Sequence, residues 1–576
     1  MSVPQKDMSE EFIRQLNNHL EENKLDEALK LFKESNYSNI IAHHSWDIVP
    51  LVSSLLTTEN MKSNKDLINC CTEILNSVVE RCNPLEVVLE LLEQIEGPED
   101  DIKFCTIFNV LRRCLARMDD KTKVIEWCTS TIRSYVESLP SPEKESESNT
   151  ANINKTKRVY EAVILFLEPL VQESRSEDVV LRDYLVSTLI FLMDNLCHLQ
   201  EKELGSQCIP ERIVTLTSQT TGDLLWYLNI VNIRSVKTKI KKKNTRQENT
   251  NLKVTLFEST ENISDLAYAN FYFYIITKPH LWEKVPQVYN PNYIFQVCSY
   301  LVIKLLEQDI VSKGLNLMNE ILKRIARHSL TSNLLELNIY FDLFDVLVKV
   351  MIYSDSNKER KFALNAFQDY VKMFDIQARY LIVLRLYQTS EHSGLLSLTT
   401  GIFKDCIIEC IQATPPIPYF LGSNLETLIK LACKLHHGSA SDLVEISDEV
   451  IASLNLLRFL FIRDKDNQTG IWNLVDQLEK DYLKPLREGI DLCRAHWKVK
   501  MQDLEGQKKT HKVTESIGLE ASDAEVTLTV GGEMLPSMPI QEKISFCHQA
   551  VNGLDVMESI WIRVHECIAN NPFKET

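Results

Sequence analysis

Glycine is scarce in this sequence, which holds 15 glycines among 576 residues, fewer than its 18 prolines. Soluble proteins average about 7% glycine. Tight hairpin turns and the phosphate-binding loops of nucleotide enzymes need residues with positive φ, and glycine adopts that backbone conformation at the lowest cost. The scarcity therefore predicts a chain built from α-helices. It also favours a protein that binds other proteins over an enzyme that holds a phosphate.

Long apolar runs and paired cysteines are also missing. The longest uncharged apolar stretch, residues 266–277 (LAYANFYFYIIT), is shorter than the ~20 residues that cross a bilayer. The 15 cysteines are scattered, and the opening sequence MSVPQKDMSEEF is polar and acidic, unlike a secretion signal. We expect no membrane contact, reduced and buried cysteines, and a location in the cytoplasm, with the nucleus as an additional compartment.

The charge balance argues against nucleic acid as a partner, because a net charge of −17 repels phosphates over most of the surface. One basic run departs from this balance; it consists of Arg234, Lys237, Lys239, Lys241, Lys242, Lys243 and Arg246. Such a run fits a nuclear localisation signal or a phosphate-binding patch, but we favour a solvated loop. The run contains no aromatic residue on which a base could stack.

Apolar residues recur at helical spacing along most of the chain, as Leu85, Val88 and Leu92 do after Asn83-Pro84. The helices come about every 20 residues, so pairs repeat about every 40, the spacing of HEAT and armadillo repeats. No repeated sequence motif is visible. We therefore predict a degenerate HEAT- or armadillo-like solenoid, all-α apart from a short β segment near the C-terminus. The aromatic residues of 268–274 cover all sides of one helix, which predicts a helix buried between two layers.

Polar segments interrupt the helical pattern and indicate how the chain is organised. Residues 140–157 and 234–253 are predicted loops within N-terminal repeats that span residues 1–255. C-terminal repeats are predicted over residues 256–503.

The last part of the chain has a different pattern. We expect a polar linker over residues 504–525 and then a terminal segment, residues 526–576. Within that segment, alternating apolar and polar residues at 526–530 predict a short strand that ends at Gly531-Gly532. A final helix is predicted from about Gln541 to Ile568.

No motif for catalysis, for a cofactor or for a metal stands out. Cys433, His436 and His437 resemble part of a metal cluster, but a structural zinc needs four ligands. The simpler interpretation is a helix end with a buried cysteine and exposed histidines. Cys406 and Cys410 share a helical face, where we expect core packing. We therefore predict no catalytic, cofactor-binding or metal-binding residue and no enzyme activity.

Residues 451–497 form the most distinctive segment. Two predicted helices flank a polar turn over residues 463–470, and Pro485 is expected to kink the second part. Arginines and large aromatic residues cluster near this turn. Such residues dominate interface hot spots, although a repeat core and its edge use the same types, so the pattern fits both. Our candidate partner-binding residues are Arg458, Arg463, Trp472, Tyr482 and Lys484.

At this segment the sequence resembles the glomulin family. The resemblance rests on Ala452–Arg458 (ASLNLLR), on Asp466–Gly470 (DNQTG) followed by Trp472, and on Leu483–Leu486 (LKPL). Shorter matches, such as WDIV at Trp46–Val49, extend it over almost the full length, with differing loops at 140–157 and 234–253.

The resemblance implies a HEAT-like protein without catalytic activity. Members of the family bind the RING domain of the RING-box subunit of cullin-RING ubiquitin ligases through their C-terminal repeats. They cover the site of the ubiquitin-conjugating enzyme and so inhibit ubiquitin transfer. The family is also associated with an FK506-binding immunophilin and with vascular smooth-muscle development. No residue-by-residue motif for these interactions is carried over to this chain.

The alternative hypothesis is a solenoid adaptor, either for an FK506-binding immunophilin or, as in transport receptors, for basic cargo on an acidic face. The net charge of −17 is compatible with basic cargo. A transport receptor needs a ladder of tryptophans and asparagines at repeat spacing, and the 7 tryptophans are not so spaced.

Overall fold

The structure is a computed structural model. It describes residues 3–95, 100–140, 149–174, 179–199, 209–243, 263–517, 529–530, 533–534 and 538–570. Packing divides the chain into an N-terminal unit, residues 1–325 and 342–363, and a C-terminal unit, residues 326–341 and 364–576. The predicted division at residue 255 lies outside the described residues and stays a prediction.

The N-terminal unit is a succession of helices. They are α1 (Val3–Glu21), α2 (Leu25–Leu31), α3 (Ser38–His43), α4 (Ser45–Ser53), α5 (Thr58–Ser63), α6 (Lys65–Arg81), α7 (Pro84–Glu93), α8 (Asp101–Leu115), α9 (Thr122–Glu137), α10 (Asn149–Glu173), α11 (Val179–Phe191), α12 (Ile209–Thr220), α13 (Leu228–Lys243), α14 (Asp265–Thr277), α15 (Pro279–Trp282), α16 (Pro291–Glu307) and α17 (Val311–Leu322).

Two helices, α18 (Asn338–Tyr353) and α19 (Asn357–Met373), contribute residues to both units. The C-terminal unit continues with α20 (Ile376–Thr389), α21 (Ser393–Gln412), α22 (Gly422–Ala432), α23 (Ser447–Arg463), α24 (Val475–Leu478), α25 (Lys484–Ile517) and α26 (Ile540–Ala569). Two short strands in the described part of this unit, β1 (Thr529–Val530) and β2 (Glu533–Met534), pair antiparallel with Thr529 facing Met534, and Leu330 and Phe374 form an isolated parallel bridge.

Helix ends and helix packing both follow from the sequence. The Asn290 side chain accepts a hydrogen bond from the amide of Asn292 (2.9 Å) and Pro291 begins α16, a favourable N-terminal combination. Helices pack mainly on their neighbours in the chain, as α16 does on α14 and α17. The prediction of an all-α chain with a short β segment is confirmed. None of the described helices has an apolar stretch of the length that a bilayer crossing requires.

The aromatic helix α14 is buried, as predicted. Every residue from 267 to 276 is buried, and α11, α12, α16 and α17 pack around it. Two of its polar side chains donate hydrogen bonds to backbone carbonyls inside the unit. The Tyr272 hydroxyl donates to the Leu224 carbonyl (3.0 Å), and the Asn270 side chain donates to the Met193 carbonyl (2.8 Å). A helix that is apolar all round needs neighbours on all sides, and this one has them.

The sequence predicts three segments without helix, and these predictions are wrong wherever the structure describes the segments, Pro140 excepted. Residues 149–157 belong to α10, residues 234–243 to α13 and residues 504–517 to α25. The other residues of these segments, apart from Pro140, lie outside the described part of the chain. Each extension continues a helix whose other half packs in the core, as Leu228 and Val231 of α13 do. Adding a residue to a helix that has already formed costs much less than nucleating a new helix, so polar residues can continue it.

The end of the chain follows the prediction more closely. The strand is present at Thr529–Val530, while residues 526–528 lie outside the described residues. The pairing strand at Glu533–Met534 was not predicted. The last helix is confirmed, since α26 extends one residue beyond each predicted end.

Candidate partner-binding surface

The candidate segment lies in the C-terminal unit, where α23 ends at Arg463 and a tight turn follows. After the turn come a short 3-10 helix (Ile471–Leu474), α24, a π-helical segment (Glu479–Leu483) and then the long helix α25. Helix α26 packs against both α23 and α25. The two flanking helices and the polar turn predicted from the sequence are therefore present.

The turn over residues 464–470 is organised around one buried carboxylate. The Asp464 side chain, 4% exposed, accepts hydrogen bonds from the amides of Gln468 (2.7 Å) and Thr469 (2.8 Å) and from the Thr469 hydroxyl. Asn467 and Gly470 adopt left-handed backbone conformations, with φ of 53° and 84°. Asparagine and glycine tolerate that region best, which explains their places in the turn.

The turn is also fixed from outside. The Thr469 carbonyl accepts a hydrogen bond from the amide of Gly422 at the start of α22 (2.9 Å). The Asn467 side-chain oxygen accepts from the amide of Trp472 (3.2 Å). The DNQTG motif that carries the resemblance is therefore a structural element, and its effect is to hold the end of α23 in one conformation.

Two of the five candidate residues, Trp472 and Tyr482, are core residues. Trp472 is 8% exposed; its indole N–H donates to the Asp464 carbonyl (2.6 Å) and its ring packs on Phe461 at 4.9 Å. Tyr482 is 1% exposed, shares a hydrogen bond with the Ser453 hydroxyl (2.6 Å), and burial raises the pKa of its phenol well above the usual value. As a correction to the sequence prediction, neither side chain offers surface to a partner.

The three basic candidates are exposed. Arg458 lies on α23, Arg463 is its last residue and Lys484 begins α25. Arg458 shares the outer stripe of α23 with Ile462, which is 52% exposed. An exposed isoleucine between two arginines combines apolar area with directed donors, the composition that partner-binding surfaces favour. Arg463 follows Ile462 directly and is exposed about 100° further round the helix axis. We name these three exposed residues at the end of α23, Arg458, Ile462 and Arg463, the α23 stripe.

Pro485 follows a widened helical turn. The π-helical segment immediately precedes Lys484 and Pro485. Proline has no amide proton and its ring crowds the carbonyl of the preceding turn, and a π segment relieves both constraints. The indole N–H of Trp561 on α26 donates to the Leu483 carbonyl (2.9 Å), so the region is also fixed by a side chain.

Ion pairs link α26 to α25. Arg487 and Arg494 both pair with Glu558, and Arg494 also reaches Asp555 (2.9 Å). The hydrogen bond from Arg487 is the main reason why the pKa of Glu558 lies below its usual value. The Arg487 guanidinium also lies over the Trp561 ring, 5.5 Å from its centre. The surface formed by these helices is therefore held by several coupled contacts.

Sequence reasoning missed several exposed apolar residues of the C-terminal unit. Ile462 is one; on α25 and α26 they are Leu492 (60% exposed), Val499 (57%), Val556 (47%) and Ile562 (43%). A signal was present for α25. Leu492 and Val499 are seven residues apart and out of phase with the buried positions Leu486, Ile490 and Trp497, so they lie on another face.

The cysteine positions behave as core residues. Cys406, Cys410 and Cys433 are buried, and burial raises the pKa of Cys406 to about 12, which keeps the thiol protonated and unreactive. His436 and His437 are exposed just after α22. These placements match the simpler interpretation of both clusters. Within the described ranges, no group of three histidine, cysteine or acidic side chains is placed to hold a metal ion.

The fold and this surface define a class, an all-α protein of successively packed helices. Residues 6–555 match the family described as "Uncharacterised protein family, YAP/Alf4/glomulin", and the chain belongs to this family. The resemblance inferred from the sequence is thereby confirmed.

Two relatives and one solved structure are similar to the chain. Glomulin of Homo sapiens is 27% identical over 570 residues, and glomulin of Mus musculus is 27% identical over 576 residues; each alignment covers 95% of this chain and 91% of the relative. A solved "circular tandem repeat protein with novel repeat topology and enhanced subunit contact surfaces" shares 10% identity over 97% of both chains, with a TM-score of 0.16. That score is too low to inform the fold.

Proposed function

We propose that the chain is a non-catalytic inhibitor of cullin-RING ubiquitin ligases. It binds the RING domain of the RING-box subunit through its C-terminal repeats and blocks docking of the ubiquitin-conjugating enzyme. Membership of the glomulin family supports this function. The observation that carries it is the α23 stripe, exposed at the end of a helix that the Asp464 turn holds in place.

The α23 stripe has the chemistry that such an inhibitor needs. The conjugating-enzyme site of a RING domain is a small apolar patch with a polar edge. Ile462 supplies apolar area, while Arg458 and Arg463 supply guanidinium donors for carbonyl and carboxylate groups at the edge. Because the turn is already ordered, binding loses little conformational entropy there. Inhibition then requires only that the chain and the conjugating enzyme compete for one patch.

The proposed location is the cytoplasm, with the nucleus as an additional compartment. The described cysteines are free thiols, which fits a reducing environment. An adaptor for basic cargo or for an FK506-binding immunophilin remains the second function, and one feature of the N-terminal unit, an acidic groove described below, favours basic cargo.

Charge reversal at Arg463 is expected to weaken RING binding at least tenfold without lowering the melting temperature. Arg463 is exposed, and loss of a true hot-spot arginine costs about 2 kcal/mol or more. The measurement is the affinity of full-length Arg463→Glu for a purified RING-box–cullin complex by calorimetry.

Two control variants locate the effect. Arg81 is exposed and ends α6 as Arg463 ends α23, so Arg81→Glu makes the same charge change in the N-terminal unit. Replacing Lys241, Lys242 and Lys243 by glutamine tests the basic run, which we predict to be dispensable. If Arg463→Glu binds the RING-box–cullin complex as tightly as the wild type, the assignment of the α23 stripe as the RING-binding surface is contradicted. An equal loss of affinity in either control contradicts it as well.

A further inference from the structure

The N-terminal unit has a broad groove, which is lined by residues 306–359 and is therefore distant in sequence from the α23 stripe. It lies between the corner that joins α16 to α17 and the second half of α18, and its volume is about 730 Å³. Its floor consists of Leu306, Val311, Val346 and Val350, all less than 10% exposed. Ligand sites typically have volumes of about 300–1,000 Å³ and mainly apolar linings, so the groove is large enough to hold a ligand.

The rim of the groove is acidic. Glu307, Asp309, Asp355 and Glu359 line it, and Lys349 is the only basic lining residue. Glu307 pairs with Lys304 (2.8 Å). Among the residues that the structure describes, Asp309 and Asp355 are exposed and have no ion-pair partner. An apolar floor between unpaired carboxylates is complementary to a ligand with apolar and cationic side chains.

Both walls are ordered before any ligand binds. At the α16–α17 corner, Asp309 has a φ of 57°, and the amide of Ile310 donates to the Leu305 carbonyl (3.0 Å), which closes the turn. On the other wall, the Ser354 hydroxyl donates to Glu359 (2.8 Å) and the Arg360 side chain donates to the Ser354 carbonyl (2.5 Å). These contacts fix the loop that carries Asp355.

One exposed aromatic residue completes the wall. Tyr353, the last residue of α18, is 78% exposed and lines the groove beside the Ser354–Ser356 loop. A tyrosine offers a large contact area and a cation-accepting ring face with few rotatable bonds.

We infer that this groove binds a short basic segment of a partner protein. An apolar side chain of that segment covers the valine and leucine floor, and its lysine or arginine side chains pair with Asp309 and Asp355. The acidic rim repels nucleic acid and anionic lipid surfaces. A second copy of this chain, with its net charge of −17, is disfavoured for the same reason. This binding site is independent of the RING interaction proposed for the C-terminal unit.

The probe is a fluorescein-labelled dodecamer that repeats Arg-Leu-Lys-Ala, and the measurement is its fluorescence anisotropy on titration with the full-length chain. We expect binding that weakens at least tenfold in Asp309→Asn/Asp355→Asn and at least threefold in Tyr353→Ala. Asparagine tolerates the left-handed conformation of residue 309, so the double variant keeps the corner intact. The interaction should also weaken with rising salt concentration.

A charge-matched control distinguishes peptide binding in the groove from nonspecific attraction to the negative charge of the whole chain. Asp466 and Asp476 are exposed residues of the C-terminal unit, and Asp466→Asn/Asp476→Asn removes the same charge. Retained binding in this control with loss in the groove variant supports the inference. Equal binding by all variants, equal loss in both double variants or no binding to the wild-type chain overturns it. Self-association of the wild type that Tyr353→Ala abolishes in sedimentation also overturns it, because the groove is then occupied by a second copy.

Discussion

Replacing Asp464 by alanine is expected to destabilise the C-terminal unit by about 3 kcal/mol, because two backbone amides and one hydroxyl lose their shared acceptor. Each buried donor left without a partner costs about 1–3 kcal/mol. The local result should be faster hydrogen exchange at the amides of Gln468 and Thr469. Exchange mass spectrometry of peptides covering residues 464–475 measures it, and calorimetry should show a lower melting temperature.

Asp466 provides the matched control for this prediction. It lies in the same turn but is exposed, so Asp466→Ala should change stability by no more than about 0.5 kcal/mol. Similar exchange in both variants and in the wild type would show that the carboxylate does not organise the turn. Because the turn holds Arg463, Asp464→Ala should also weaken RING binding, though Arg463 is unchanged.

Replacing Trp472 by alanine is expected to have the largest effect on stability, about 3–5 kcal/mol, the usual range for a buried large aromatic residue. The variant loses the contact with Phe461 and the hydrogen bond to the Asp464 carbonyl. A core role predicts a lower melting temperature and a parallel loss of every binding activity of the unit. Thermal melting and RING affinity of the same preparation test both parts.

The exposed Trp226 is the control for that experiment. Trp226 is 60% exposed in the N-terminal unit, so Trp226→Ala should leave the melting temperature nearly unchanged. If Trp472→Ala melts like the wild type and loses only RING binding, then Trp472 is an interface residue and its assignment to the core is wrong.

The fold class was predictable because it depends on local patterns. Scarce glycine, apolar residues at helical spacing and the aromatic residues of α14 all report on backbone conformation or on burial of a whole helix. The helical ends of α10, α13 and α25 were missed because their sequences are polar and show no clear apolar spacing. Apolar spacing detects amphipathic helices and misses polar extensions of the same helices.

The candidate site was only partly predictable. Arginines are seldom buried, so the exposure of Arg458 and Arg463 follows from residue type. The burial of Trp472 and Tyr482 does not follow from residue type, because cores and interfaces use the same aromatic residues. Only tertiary contacts distinguish the two roles. The acidic groove is harder still. Asp309 and Asp355 are 46 residues apart in sequence, and only packing of α18 beside the α16–α17 corner places both on one rim.

The central claim is that the chain and a ubiquitin-conjugating enzyme compete for one RING surface. The most direct measurement is the initial rate of ubiquitin discharge by a RING-box–cullin complex, with the charged conjugating enzyme titrated at several fixed concentrations of the full-length chain. The account predicts that the chain raises the KM for the conjugating enzyme and leaves kcat unchanged, and that Arg463→Glu removes this effect. A fall in kcat at constant KM, or no inhibition at all, would contradict it.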